Sequence, residues 1–254
     1  IKNRKNVARI YRLMIIAMWS GPRNLSTALM RAFENREDTQ VLDEPFYAHF
    51  LNETGLKHPG REKVLASQSI NWDEIVNFCT NKNYQNKPIW YQKHMAQHNL
   101  ENSDISWIGK VKNCLLIRNP KFVISSYDKK FSIKDERLLG YRQQVDILEY
   151  LKSECKISPP IIDADDLMSN PEYVLSKLCE IIKIKFTPRM LKWPKGPRKS
   201  DGVWAPFWYN NVQNSTGFHI SLKKKEIKID EDIKEIYDSC MKHYKKMYRK
   251  RIKP

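Results

Sequence analysis

Five short apolar runs constrain this chain more than any other feature. They are Leu13–Trp19, Gln40–Leu42, Pro88–Gln92, Asn113–Ile117 and Pro160–Asp163. Each is of strand length and is bounded by polar or turn-forming residues. Segments of helical periodicity lie between them. Ser26–Asn35 follows the first run, Trp72–Thr80 precedes the third, and Lys121–Lys130 follows the fourth. Asp135–Cys155 is long and amphipathic, with Leu138, Leu139, Val145, Leu148 and Leu151 along one stripe. Pro171–Ile182 repeats the theme. Strands that alternate with helices are joined by crossovers, which gives an α/β fold: a mostly parallel sheet with helices on both faces. A chain of 254 residues, 41% hydrophobic, has enough apolar surface for one such domain, read here as 13–254.

Two regions fall outside this alternation. Lys192–Phe218 carries Pro194, Pro197 and Pro206 among Trp193, Trp204, Phe207, Trp208 and Tyr209. So many aromatics imply an ordered loop or lid. Lys223–Lys250 reads as a basic C-terminal helix with Ile233, Ile236, Tyr237 and Cys240 on one side.

The formal net charge of +16 comes from 45 Lys and Arg against 29 Asp and Glu. Such a balance steers anions toward the protein. The excess is concentrated in Lys2–Arg12 and Lys223–Lys253, where charge runs are ordinarily solvated. Residues 1–12 are therefore expected to be a basic extension, and a nucleic-acid partner is not expected. The chain opens on Ile1, as a trimmed sequence would. No run of 18 apolar residues is present, so no membrane span is expected. The five cysteines are scattered without C-x-x-C spacing, which supports neither a zinc site nor a disulfide framework and fits a cytoplasmic protein with reduced thiols.

Two segments carry binding chemistry. Ser20-Gly21-Pro22-Arg23-Asn24-Leu25-Ser26-Thr27 joins the first strand to a helix. A helix N-terminus offers unpaired N–H groups and partial positive charge, which suits an anion. Arg23 adds a guanidinium fork, and Ser26 and Thr27 add hydroxyls. There is no Walker A pattern, since no Lys precedes Ser26. The second segment is Arg118-Asn119-Pro120, with Ser126 eight positions after Arg118. Arg118 ends a strand at the carboxyl edge of the sheet, where open α/β folds bind ligands.

These two segments resemble the 5′-phosphosulfate loop and the 3′-phosphate motif of the sulfotransferases. Asp165-Asp166-Leu167 with Asn170-Pro171 resembles a structural helix entry of the same family. Asp43-Glu44-Pro45-Phe46-Tyr47 and Ser215-Thr216-Gly217-Phe218 resemble a bacterial-type subgroup. The resemblance implies a P-loop-type fold and a donor, 3′-phosphoadenosine 5′-phosphosulfate, bound without a metal. Arg23, Asn24, Ser26, Thr27, Arg118 and Ser126 would hold it, with Arg198 or Lys199 of the late loop reaching the 3′-phosphate. Leu25 stands where the family usually has Gly, and a leucine there is expected to keep φ negative.

In-line sulfuryl transfer to a hydroxyl or amine needs a base and cations on the developing charge. Glu44 lies 21 positions beyond Arg23, as in some sulfotransferases, and is the favoured base. His94 is the other, in a segment similar to Lys-x-His. Lys93 is then expected to neutralise the bridging oxygen, while Arg23 binds the sulfonate. The acceptor is expected to be a small organic molecule, and the oligomeric state stays open. A kinase on the same fold predicts ATP and magnesium binding. A basic nucleic-acid-binding protein predicts steep salt dependence and has no recognition motif here.

Overall fold

The computed structural model describes residues 13–81, 87–127, 132–218 and 227–254. The basic extension 1–12, the last residues of Lys121–Lys130 and the start of Lys223–Lys250 lie outside them.

Five strands form one parallel sheet: β1 Met14–Ser20, β2 Thr39–Asp43, β3 Ile89–Met95, β4 Lys112–Ile117 and β5 Ile161–Asp163, in the order β2-β3-β1-β4-β5. All five strands expected from the apolar runs are present. Central β1 pairs with β3 on one side and β4 on the other. The chain leaves β1 toward β2 and later crosses to β4, so a crevice opens at the carboxyl end of β1.

Side chains alternate across the sheet. Ile16, Met18, Tyr91 and Leu116 face one core with α1 (Ser26–Glu34), α7 (Ala164–Ser169) and α8 (Pro171–Ile182). Trp19, Trp90, Leu115 and Ile117 face the other with α4 (Trp72–Thr80), α5 (Pro120–Tyr127), α6 (Tyr141–Ser153) and α11 (Lys234–Tyr248). A third cluster packs α2 (Tyr47–Thr54) and α3 (Arg61–Ser67) against Trp204 and Tyr209. The loop 192–218 carries two one-turn helices, α9 (Ala205–Trp208) and α10 (Asn210–Gln213). Its base is closed by an antiparallel bridge between Lys192 and Gly217. No helix among the described residues is long and apolar enough to cross a membrane.

Three regions differ from the sequence reading. Asp135–Cys155 is not one helix: a 3₁₀ turn, Glu136–Leu139, ends at Gly140 with φ of 73°, and α6 starts beyond it. The apolar stripe runs through both pieces, so periodicity alone does not show the break. The C-terminal helix begins at Lys234 rather than near Lys223. Helices α2 and α3 carry no apolar stripe as regular as that of Asp135–Cys155, and they are held by the third cluster.

Candidate functional site

The loop after β1 is built around two left-handed residues. Arg23 has φ of 59° and Leu25 has φ of 65°, while Asn24 between them is not in that region. Alternating backbone handedness turns successive N–H groups to one side and forms an anion-binding concavity. The Leu25 backbone therefore takes the conformation a glycine would supply, contrary to the expectation of a negative φ. It is the N-cap of α1, and no side chain caps that helix. The N–H groups of the first turn thus face the crevice with the positive end of the helix dipole. A left-handed L-residue costs roughly 1–2 kcal/mol. Leu25→Gly is expected to keep or raise the melting temperature, and Leu25→Val, β-branched, to lower it. A calorimetric scan of both variants checks this, and equal losses would contradict it.

The second segment meets the first directly. The Arg23 Nε–H donates to Ser126 Oγ at 2.9 Å, and an Arg118 guanidinium N–H donates to the Arg23 carbonyl at 2.9 Å. Tyr141 Oη donates to the Arg118 carbonyl at 2.7 Å and steadies the end of β4. Phe122 lies under the Arg118 guanidinium at 5.6 Å. Among the described residues neither Arg23 nor Arg118 has a carboxylate partner. Burial, and then the neighbouring Arg118, holds the Arg23 guanidinium below its usual pKa. Arg118 Nε is buried without a hydrogen-bond partner among the described residues. Two uncompensated guanidinium groups beside an uncapped helix N-terminus fit a ligand with more than one anionic group.

Glu44 and Lys93 close the far wall. Lys93 lies on the α1 face of β3, and its ammonium donates to Asp43 Oδ1 at 2.9 Å, to Glu44 Oε1, and to Tyr209 Oη at 2.8 Å. All four side chains are buried. Desolvation alone would lower the Lys93 pKa, but the carboxylates outweigh it and hold it above the usual lysine value. One ammonium serves two carboxylates, so the cluster retains a negative charge. Burial accordingly pushes the Glu44 carboxyl up, Asp43 adds to the rise, and Lys93 only partly opposes it. Glu44 has φ of 40°, and its N–H donates to the Lys93 carbonyl at 3.0 Å, which fixes it at the sheet edge. Asp43 and Glu44 thus pair with Lys93, not with Arg23.

These groups surround a cavity of about 490 Å³. Arg23, Asn24, Ser26, Thr27, Glu44, Lys93, Arg118 and Ser126 all line it. His94 does not. Strand alternation sends its ring to the opposite face, where it stacks on Trp19 at 4.5 Å and its Nε2 meets Gln92 Oε1 at 3.0 Å. Burial pushes its pKa down to about 3. Arg198 and Lys199 are not brought to the cavity either. Arg198 donates to the Pro194 carbonyl at 2.6 Å and lies 3.7 Å from Glu34, and Lys199 is exposed.

Tyr47, His58 and Tyr209 line the cavity without being sequence candidates, whereas Trp208 belongs to the aromatic late loop expected to pack or line the pocket. Tyr47 stacks on His98 at 5.1 Å, and its hydroxyl meets His58 Nδ1 at 2.8 Å. Burial holds His58 down to about 4, so it is uncharged at neutral pH. Trp208 and Tyr209 join them from the late loop. The density of aromatics in 204–209 is the sequence signal for that loop. Tyr47 is marked only as the last residue of the Asp43–Tyr47 motif, and His58 has no signal, because it sits on the connection between α2 and α3, which are placed by tertiary packing. Among the described residues no group of His, Cys, Asp or Glu is arranged to hold a metal.

Comparison with known proteins gives a consistent frame. A family model described as "Sulfotransferase domain" matches residues 14–251. Among solved structures, the "Sulfotransferase Domain from the Curacin Biosynthetic Pathway" is 16% identical, covers 89% of this chain and 97% of that one, and has a TM-score of 0.55. A sulfotransferase from Alicyclobacillus acidocaldarius is 10% identical, covers 93% and 96%, and has a TM-score of 0.50. At these identities the likeness is one of fold. Two curated relatives from Arabidopsis thaliana are the branched-chain-amino-acid aminotransferase-like proteins 1 and 2. They are 39% identical over 206 residues and 37% over 210, in each case 80% of this chain. The chain spans 36% of the length of those relatives.

Proposed function

The chain belongs to the sulfotransferase-domain family, and from that premise we propose that its cavity binds 3′-phosphoadenosine 5′-phosphosulfate and transfers the sulfuryl group to a small organic acceptor. The observation that carries this reading is the pair of uncompensated arginines, Arg23 and Arg118, linked through Ser126 and the Arg23 carbonyl. When bound, the donor supplies an activated sulfuryl group with a nucleotide leaving group. The loop 23–27 would bind the 5′ end through backbone N–H groups and the Ser26 and Thr27 hydroxyls. Arg118 and Ser126 would bind the 3′-phosphate. Arg23 sits at the junction, where it can neutralise charge on the transferring group.

On the acceptor side, Glu44 takes the proton of the acceptor hydroxyl or amine. Lys93 keeps the Glu44 carboxylate in place; its three N–H donors go to Asp43, Glu44 and Tyr209, so it is not free to take the role expected from the sequence, neutralising the bridging oxygen. The walls formed by Tyr47, His98 and Trp208 exclude water and present flat apolar faces to a compact acceptor. His94 has no part in this scheme, because its ring lies across the sheet from the cavity.

Titration calorimetry tests the donor site with 3′,5′-adenosine bisphosphate, 5′-AMP and ATP, without metal. The bisphosphate is expected to bind more tightly than 5′-AMP. Arg118→Met removes charge-assisted hydrogen bonds of about 1.5–3 kcal/mol. It is therefore expected to weaken bisphosphate binding by about 10- to 150-fold and to weaken 5′-AMP, which meets Arg118 only through the Arg23 carbonyl it holds, by much less. Binding of ATP with none of the bisphosphate would instead favour a kinase.

A further inference from the structure

Tyr209 occupies an unusual place in the buried cluster. Its hydroxyl accepts from Lys93 Nζ at 2.8 Å and from Trp204 Nε1 at 3.0 Å, and donates to Asp43 Oδ2 at 2.6 Å. A phenolic hydroxyl has one proton and two acceptor positions. All three are thus in use, and Glu44 Oε1, 3.5 Å away, is left without that proton.

The two carboxylates are treated differently as a result. Asp43 accepts from Lys93 through Oδ1, and from Tyr209 and the Gly202 N–H, at 3.3 Å, through Oδ2. It does not line the cavity. Glu44 accepts from Lys93 through Oε1 and makes no hydrogen bond through Oε2 among the described residues, yet it does line the cavity. The segment that carries Tyr209 is itself tied to α1, because Arg31 pairs with Asp201 at 2.5 Å and Ser200 donates to Glu34 at 2.5 Å.

We infer that Tyr209 is a positioning residue for the transfer: held between Asp43, Lys93 and Trp204, its hydroxyl commits Asp43 to Lys93 as a sealed counterion and leaves Glu44 as the carboxylate that faces the cavity. The inference rests on the reading of Glu44 as the base. The groups that face Glu44 are Lys93 on β3, Asp43 on β2, Tyr209 beyond α9 and Tyr47 on α2. Further along the cavity His58 and His98 are uncharged at neutral pH, both held down by burial. Arg23 and Arg118 line the same cavity. Removing the hydroxyl strips Asp43 of a donor, so Asp43 draws harder on Lys93 and Glu44 loses part of its compensation. Its proton affinity therefore rises.

The readout needs neither donor nor acceptor. In ¹³C-carboxyl NMR of the ligand-free protein, the Glu44 resonance is identified by its loss in Glu44→Gln. Tyr209→Phe is expected to move the Glu44 midpoint to higher pH by about half a unit or more. Affinity for 3′,5′-adenosine bisphosphate is expected to stay within about threefold of the parent. A titration curve that superimposes on the parent overturns the inference. If Tyr209→Phe does not fold, Trp204→Phe serves, because it removes one donor to the hydroxyl and leaves its proton in place. It is expected to shift the midpoint by less in the same direction, and an unmoved midpoint there again overturns the inference. Failure of the parent to bind the bisphosphate would sink the proposed donor instead, without touching this titration.

Discussion

Lys93→Ala is expected to destabilise the protein by about 3–5 kcal/mol, the cost of leaving buried charge without its partner. Lys93 is 1% exposed, and its ammonium is shared by Asp43 and Glu44. Its loss leaves two carboxylates and a phenol packed against each other below the cavity floor. The pH dependence gives the assignment its sign. The Glu44 pKa is already raised in the folded protein and rises further without Lys93. A carboxyl with a raised folded pKa contributes stability below its unfolded pKa and loses it as pH rises through the folded value. The gap in urea stability between parent and variant is therefore expected to be smallest near pH 5 and widest near pH 8. A gap independent of pH would mean that lost packing, not uncompensated charge, is the cause. The double variant Lys93→Met, Glu44→Gln removes the cation and one anion together, and is expected to recover part of the loss.

The same cluster separates what is legible in the amino-acid sequence from what only packing decides. Arg118 and Ser126 stand at a spacing that strand and helix geometry converts into proximity, and Arg23 lies on the connection that follows the central strand. Those residues are local to secondary elements that the apolar runs already define. Glu44 is legible by the same logic, because it directly follows β2 at the same sheet edge. The choice between Glu44 and His94 is not. It turns on which face of β3 the His94 ring takes, and the register that pairs Trp19 with His94 is a tertiary fact. Tyr209 and Tyr47 are further out of reach, since their segments are ordered by contacts with each other across the third core. Leu25 illustrates the opposite case. Local preference favours a negative φ for leucine, and the close turn from β1 into α1 overrides that preference at a cost the rest of the loop absorbs. Gly21 belongs to the same constraint: a Cβ there would stand 2.4 Å from the Leu139 carbonyl oxygen. The loop and the 3₁₀ turn before Gly140 therefore pack closer than any side chain would allow.

Glu44→Gln is expected to lower kcat by about 10²–10⁴-fold, the range for loss of a positioned general base. The measurement is turnover with labelled donor and whichever acceptor a labelled-donor screen returns. Gln is close in shape to Glu and retains an oxygen for the Lys93 ammonium, so the fold and donor affinity are expected to hold. Bisphosphate binding within about threefold of the parent would separate a chemical defect from a binding defect. The parent pH profile carries the second half of the test. Glu44 acts only when deprotonated, and burial raises its pKa above the ordinary carboxylate value. The parent rate is therefore expected to fall with decreasing pH along a limb that lies above the usual carboxylate range. In Glu44→Gln that limb is expected to vanish, leaving a low rate that is flat over the same interval. A variant that keeps both the parent rate and the limb would remove Glu44 from the chemistry. Since Lys93 is not a base while its ammonium is held charged by two carboxylates, and the His94 ring lies across the sheet, the acceptor proton would then have to pass to one of the uncharged cavity histidines, His58 or His98, or to solvent.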